Sequence, residues 1–304
     1  MAAFYEYLIK AYLYNSDLYQ SYLERWLIAA DSTIRSIGSH PYGHPEWTLL
    51  SSWDGGNLQN SMESLSWFAG GNFILGGMVT SNQTLVDYGL SIADAAGAIY
   101  ESTKTGLGGE FVTWSTTCEA SENNPCDPNE AIRLTDGRFR LRPEVLETWY
   151  YAYRATKDPK YQDWSWAAFE SINRYCRTDS GFSSLTDVNA DEGGSKGDVQ
   201  ESFVFAEVMK YVYLTHLEVK FHKWRVACHV EVANIYIRMP HIMSKTAEGA
   251  RRTHGSTIQK HIRYVLRVLH DNDNNKTRTA RELRRTWSIL LTINNRYHGW
   301  IPRS

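Results

Sequence analysis

Cysteine is nearly absent from this chain, with four in 304 residues, too few and too scattered for a disulfide scaffold. Proline is scarce at eight, which argues against a Pro-rich linker or disordered protein and favours a helical body. No apolar run reaches the roughly 18 residues that a membrane helix needs. The best stretch, Phe203 to Leu214, is interrupted by Glu207 and Lys210. The opening residues Met-Ala-Ala-Phe-Tyr-Glu-Tyr lack the basic segment and apolar core of a signal peptide. Net charge is also close to nothing, at −2, so the whole molecule is not a polyelectrolyte-binding protein.

Aromatic residues are plentiful: 11 Trp, 19 Tyr and 10 Phe. The near-zero charge hides two unlike pieces. From Glu218 to Ser304, seventeen Lys and Arg face six acids, a surplus of +11, which leaves −13 on residues 1–217. Seven of the ten histidines also lie in the basic part, without zinc spacing. A boundary is therefore expected near 217/218.

Residues 1–217 repeat loosely. Glu6, Glu63, Glu144 and Glu201 each open an aromatic and apolar segment. After the first three comes a second helical pattern with a cap-like start, at Asn15-Ser16-Asp17, Ser81-Asn82-Gln83 and Asp158-Pro159-Lys160. Asp followed by Pro is a physical start signal, since the carboxylate can accept a free N–H and Pro has none to lose. Tyr161, Trp164, Ala168, Phe169 and Ile172 then fall at helical spacing and predict one buried stripe. The second-helix starts recur roughly every 70 residues, which predicts stacked helical hairpins joined by long Gly- and Asn-rich loops. The fold class expected is all-α, with inner helices near residues 4–14, 62–77, 142–156 and 200–216. If the inner helices start at one rim, the four glutamates gather there around an aromatic-lined hollow. That combination suits glycoside hydrolysis, in which one acid protonates the leaving oxygen and another activates water. Each could equally be an ordinary first-turn acid favoured by the helix dipole.

Leu141-Arg142-Pro143-Glu144-Val145-Leu146-Glu147 resembles the hallmark of the class I α-1,2-mannosidases, glycoside hydrolase family 47. Phe4-Tyr5-Glu6-Tyr7-Leu8, Leu65 to Phe73, Gly106-Leu107-Gly108-Gly109-Glu110 and Lys196 to Tyr211 resemble further motifs of that family in the same order. Residues 1–217 are identified in this way as the C-terminal part of its catalytic domain, of the fungal kind. The resemblance implies a partial (αα)7 barrel and inverting, calcium-dependent exo-hydrolysis of terminal α-1,2-mannose on high-mannose N-glycans. It implies Glu144 as general base and Glu110 as a second catalytic carboxylate. Arg142, Phe203 and Glu207 would contact the sugar, with Glu147 and Glu201 as carboxylates of the sugar or of calcium-bound water. The partner implied is a high-mannose N-glycan rather than nucleic acid. The location implied is the secretory pathway (ER or Golgi) or the cell exterior, with membrane association only through a more N-terminal region.

The departures are specific. A catalytic Asp of the family aligns with Ala2, and the acid-side glutamate of its first half has no counterpart. Ser64 replaces a substrate-contacting His, and Trp67 and Ala96 replace a paired Cys. The Asn-Thr-Glu-Ala-His-Pro hairpin, which carries the family's calcium-ligating threonine, occurs nowhere, so no residue is assigned as a metal ligand. The 304 residues are accordingly expected to be incomplete and inactive alone. Cys118 and Cys126, eight apart, could bridge or stay free, and Cys176 and Cys228 offer no metal spacing. Two other functions stay open: a glycan-binding pseudoenzyme, or a nucleic-acid or partner-binding protein using residues 218–304. A shifted reading frame or retained intron is the favoured account of that basic stretch.

Overall fold

Helix–turn–helix pairs dominate the computed structural model, which describes residues 2–118, 120 and 126–217. The seven α-helices there are α1 (Ala2–Tyr14), α2 (Gln20–Ser36), α3 (Phe68–Thr80), α4 (Gln83–Glu101), α5 (Glu144–Thr156), α6 (Lys160–Ser171) and α7 (Met209–His216). Each hairpin packs within itself, α1 on α2, α3 on α4 and α5 on α6. The inner members also touch in series, α1 to α3, α3 to α5, and α5 to the π-helical turn Val204–Val208 that leads into α7. An amphipathic hairpin covers its apolar face only by stacking on a neighbour, and this series is that stack. Residues 218–304, with the basic stretch and its alternative readings, lie outside the described residues, as does Cys228.

Two of the three hairpin signals act as expected, while Asn15 accepts from Leu18 N–H and α2 begins only at Gln20 with no side-chain cap; Asn82 caps α4 by accepting from Leu85 N–H. The Asp158 carboxylate accepts from the Lys160 backbone N–H at 3.0 Å at the start of α6. The α6 stripe buries Tyr161, Ala168, Phe169 and Ile172, with Trp164 half-buried. Two inner helices begin later than the periodicity predicts. Residues 61–63 form a strand because Met62 is buried opposite Val112, and Ser64 N–H donates to the Glu110 carbonyl. Only after a 3-10 turn at Ser64–Trp67 does α3 begin. Likewise residues 200–202 stay out of the helix, where the Gln200 side chain accepts from Phe182 N–H at 2.7 Å.

Short antiparallel strands fill the long loops. They pair as β1 (Gly38–Ser39) with β2 (Leu49–Leu50), and β3 (Ser52–Asp54) with β4 (Asn57–Gln59). A three-stranded sheet takes β5 (Ser61–Glu63), β6 (Phe111–Trp114) and β7 (Ile132–Asp136), in that order. No larger sheet occurs among the described residues. Next to this sheet, Cys118 and Cys126 form a disulfide, which resolves the alternative left open by their spacing. Cys176 is a buried free thiol.

Helix α3 carries two Gly-Gly pairs, a poor composition for a helix interior. Packing explains them. At Gly71 the backbone N–H donates to Thr148 Oγ1 on α5 at 2.9 Å, and Thr148 Oγ1 donates to Trp67 O at 2.6 Å. At Gly76 the buried Trp26 indole of α2 lies where a Cβ would stand, and its Nε1–H donates to Asn72 Oδ1 at 2.8 Å. Gly76→Ala should therefore displace Trp26 and cost about 1–3 kcal/mol despite alanine's better helix propensity. Urea unfolding followed by tryptophan fluorescence reads this, and a stabilised variant would refute the packing account.

Candidate functional site

The first residue of α5 is Glu144, and the helix start decides its environment. Leu141, fully buried, has a left-handed backbone (φ 60), a strained conformation for a branched side chain that persists only where its surroundings hold it. Arg142 and Pro143 follow, and α5 then runs inward with Val145 to Ala152 all buried. Glu110 reaches the same place from the loop before β6. It is 5% exposed, and both its oxygens accept from Arg142 Nε, at 3.1 and 3.0 Å.

Glu144 Oε2 is buried and has no hydrogen-bond partner. Burial is the main cause that pushes the carboxyl up to about 8. Its own backbone N–H and Arg142 pull the other way, while Glu207 and Glu147 push it further up. An acceptor oxygen withdrawn from water and committed to nothing in the protein is placed to receive a proton from a ligand.

One turn along α5, Glu147 is 4% exposed and accepts from the Tyr211 hydroxyl at 2.7 Å and from Lys10 Nζ at 3.3 Å. Lys10 also donates to Glu6, four residues earlier on α1. Three segments, α1, α5 and α7, are thus tied together by one buried ionic group one turn along α5 from Glu144. Burial opposes the charge on Lys10, but Glu147 above all, with Tyr151 and Glu6, raises its pKa well above the lysine norm. Glu6 is pushed up to about 7, first by burial and then by Glu147, against the pull of Lys10. Lys210, 1% exposed, is brought down to about 8 by burial, with Glu147 and Glu207 working against the fall. Glu207, in the π-helical turn, acts electrostatically on Glu6, Glu144 and Lys210.

The structure therefore gathers Glu110, Arg142, Glu144, Glu147 and Glu207, five of the residues chosen from sequence, together with Glu6. Phe203 is half-buried and immediately precedes the turn that carries Glu207. Glu63 and Glu201 do not join the buried group. Glu63 is exposed on β5, and Glu201 is exposed in the loop before the turn. Both precede the true helix starts, and Glu6 lies a turn into α1, so the expectation of four glutamates at equivalent first turns holds for Glu144 alone. Lys10, Lys210 and Tyr211 were not singled out in the sequence. Of these, Lys10 had a legible signal, its position four residues after Glu6 on one helix face.

Calcium does not fit the described donors. A calcium site takes six to eight oxygens, yet one oxygen each of Glu6 and Glu147 is bound to the Lys10 ammonium. Among the described residues, no group of three or more His, Cys, Asp or Glu could hold an ion.

Comparison with known proteins places this arrangement. The model of glycosyl hydrolase family 47 matches residues 1–226. Mannosyl-oligosaccharide alpha-1,2-mannosidase of Penicillium citrinum is 46% identical over 216 residues, covering 71% of this chain and 42% of that protein. Mannosyl-oligosaccharide alpha-1,2-mannosidase 1B of Aspergillus phoenicis is 45% identical with the same coverage. Among solved structures, alpha-1,2-mannosidase from Trichoderma reesei superposes with a TM-score of 0.67 at 39% identity, over 72% of this chain and 47% of that one. The stacked hairpins are part of an (αα)7 barrel. The chain spans less than half the length of the curated relatives it matches.

Proposed function

This chain belongs to glycosyl hydrolase family 47, and on that premise we propose that the protein is an exo-acting α-1,2-mannosidase of high-mannose N-glycans whose base side is built by residues 1–217. The observation that carries the reading is the buried, unpartnered Oε2 of Glu144 beside the Arg142–Glu110 pair. In its ionised form, populated as pH rises toward 8, Glu144 takes a proton from a water, and the water oxygen attacks the anomeric carbon from the face opposite the leaving group. The glycosidic C–O bond breaks, and its oxygen leaves with a proton from a general acid. Configuration inverts because attack and departure occur on opposite faces.

Arg142 is a rigid donor fork held in place by Glu110, and it presents its free edge to sugar hydroxyls. Phe203 offers a ring face to the apolar side of a mannose, and Glu207 offers carboxylate oxygens to its hydroxyls. Glu147 and Glu201 complete the polar surroundings, Glu147 from one turn along α5 and Glu201 from the exposed loop. Where calcium is bound in this family it orients sugar hydroxyls, and no step here is assigned to it. The Cys118–Cys126 disulfide supports work in an oxidising compartment, the secretory pathway or the cell exterior.

A positioned general acid contributes typically about 10²–10⁴-fold. Among the described residues Glu110 is committed as an acceptor to Arg142, so the site shows a base without a matching donor. The 304-residue chain should therefore bind α-1,2-mannobiose and cleave it negligibly, even with millimolar calcium. Titration calorimetry and NMR of released mannose check this together. Mannose released as the α anomer, release indifferent to Glu144→Gln, or absence of any sugar binding would each overturn the reading.

A further inference from the structure

Three arginines alternate along the segment that leads into α5: Arg138, Arg140 and Arg142, with Phe139 and Leu141 buried between them. Their commitments differ. Arg138 makes a two-pronged pair with Asp136, through Nε at 2.9 and 3.0 Å and through one terminal nitrogen at 2.5 Å, so its fork is occupied. Arg142 binds both Glu110 oxygens through Nε alone. Arg140 approaches the same Glu110 carboxylate only to 3.9 Å. Among the described residues, the terminal nitrogens of Arg140 and Arg142 have no partner. One carboxylate thus stands between two guanidinium groups and leaves one cation and four terminal N–H-bearing arms unassigned.

Exposure orders these groups. The Glu110 side chain is 6% exposed, that of Arg142 24% and that of Arg140 46%. The row therefore runs from the buried carboxylates at the start of α5 out to solvent. An exo-acting hydrolase seats the chain end at its closed, buried end, so the rest of the glycan must leave along the exposed side. Leu141, with its left-handed backbone, lies between Arg140 and Arg142, and both of these approach Glu110.

We infer that Arg140 reads the sugar on the leaving-group side of the scissile linkage, through hydrogen bonds from its guanidinium fork to vicinal hydroxyls of that sugar. The inference rests on the proposed seating of the terminal mannose at Glu144. Arg142 spans the junction, and Arg140 is the first donor beyond it. A fork of planar donors matches a pair of neighbouring hydroxyls as it matches a carboxylate, and Glu110 pre-orients it. Because the ligand is neutral, the contribution comes from geometry and is lost with lysine as well as with alanine.

The test compares mannose with α-1,2-mannobiose on the full 304-residue chain by titration calorimetry or ligand-observed NMR. The wild-type chain should bind the disaccharide about tenfold more tightly than the monosaccharide, an advantage worth one or two good hydrogen bonds. In Arg140→Ala and Arg140→Lys that advantage should fall to about twofold or less. Arg138→Ala removes the same charge from a fork already occupied by Asp136, and it should keep the tenfold ratio. A ratio unchanged in Arg140→Ala, or lost equally in Arg138→Ala, overturns the role of Arg140 and leaves the Glu144 reading standing. Binding of neither sugar by the wild-type chain overturns both.

Discussion

Glu144→Gln should make the chain more stable than wild type at pH 8 and nearly equal to it at pH 4.5. The cause is the burial that pushes the Glu144 carboxyl up to about 8 from an ordinary value of 4.5. The folded state holds that proton more tightly than the unfolded chain does. Stability from this source is therefore complete below pH 4.5 and is lost as pH rises through 8. At about 1.4 kcal/mol per pH unit the window is worth roughly 3–5 kcal/mol. Glutamine is neutral throughout, so it removes that loss while filling the same space.

Glu6, pushed up to about 7, drains stability in the same direction and remains in the variant. Lys210 has the opposite sign. Brought down to about 8, it contributes stability that is lost as pH falls from 10.5 to 8, outside the window in question. Urea midpoints across pH 4.5–8 should thus slope less steeply for Glu144→Gln, with a gap of about 2–4 kcal/mol at pH 8. Parallel curves for the two proteins would show that Glu144 is not the strained group. The same variant removes the proposed base, so gain of stability and loss of catalytic function should travel together. That trade is expected where a catalytic group is held against its own preference.

Lys10→Met should destabilise the fold by about 3–5 kcal/mol at pH 7. Lys10 is 6% exposed and bridges Glu6 and Glu147, which are themselves 8% and 4% exposed. Methionine fills the volume but leaves two buried carboxylates facing each other. Tyr211 still donates to Glu147, so Glu6 is the group left most exposed to the repulsion. Adding Glu6→Gln should recover at least half of the loss, because one carboxylate with a hydroxyl donor can remain ionised. Unfolding followed by tryptophan fluorescence reports the result through Trp149, which is fully buried on α5. A Lys10→Met chain within about 1 kcal/mol of wild type would mean that the ionic group one turn from Glu144 does not hold α1, α5 and α7 together.

The hairpins are legible in the residues alone, because what makes them is local. Asp158-Pro159 starts α6, helical spacing buries Tyr161, Ala168, Phe169 and Ile172, and the opening pattern of Glu6 and Glu144 marks inner helices. The Leu141 to Glu147 motif carried the family and brought Glu144, Arg142 and Glu147 with it. Helix starts were less legible, since β5 and the Gln200–Phe182 bond are long-range pairings that override periodicity near Met62 and Gln200. Glu63 and Glu201 look like Glu6 and Glu144 in one dimension, yet they stay exposed for that reason. The pairing of Cys118 with Cys126, left open by their spacing, was likewise decided only in three dimensions. The charge state of the site emerges from the fold and not from any local pattern. A carboxyl at 144 carries the same formal charge as one at 201 in the sequence. Its pKa depends on the water excluded and on nearby charges, among them Glu207, about sixty positions further along the chain.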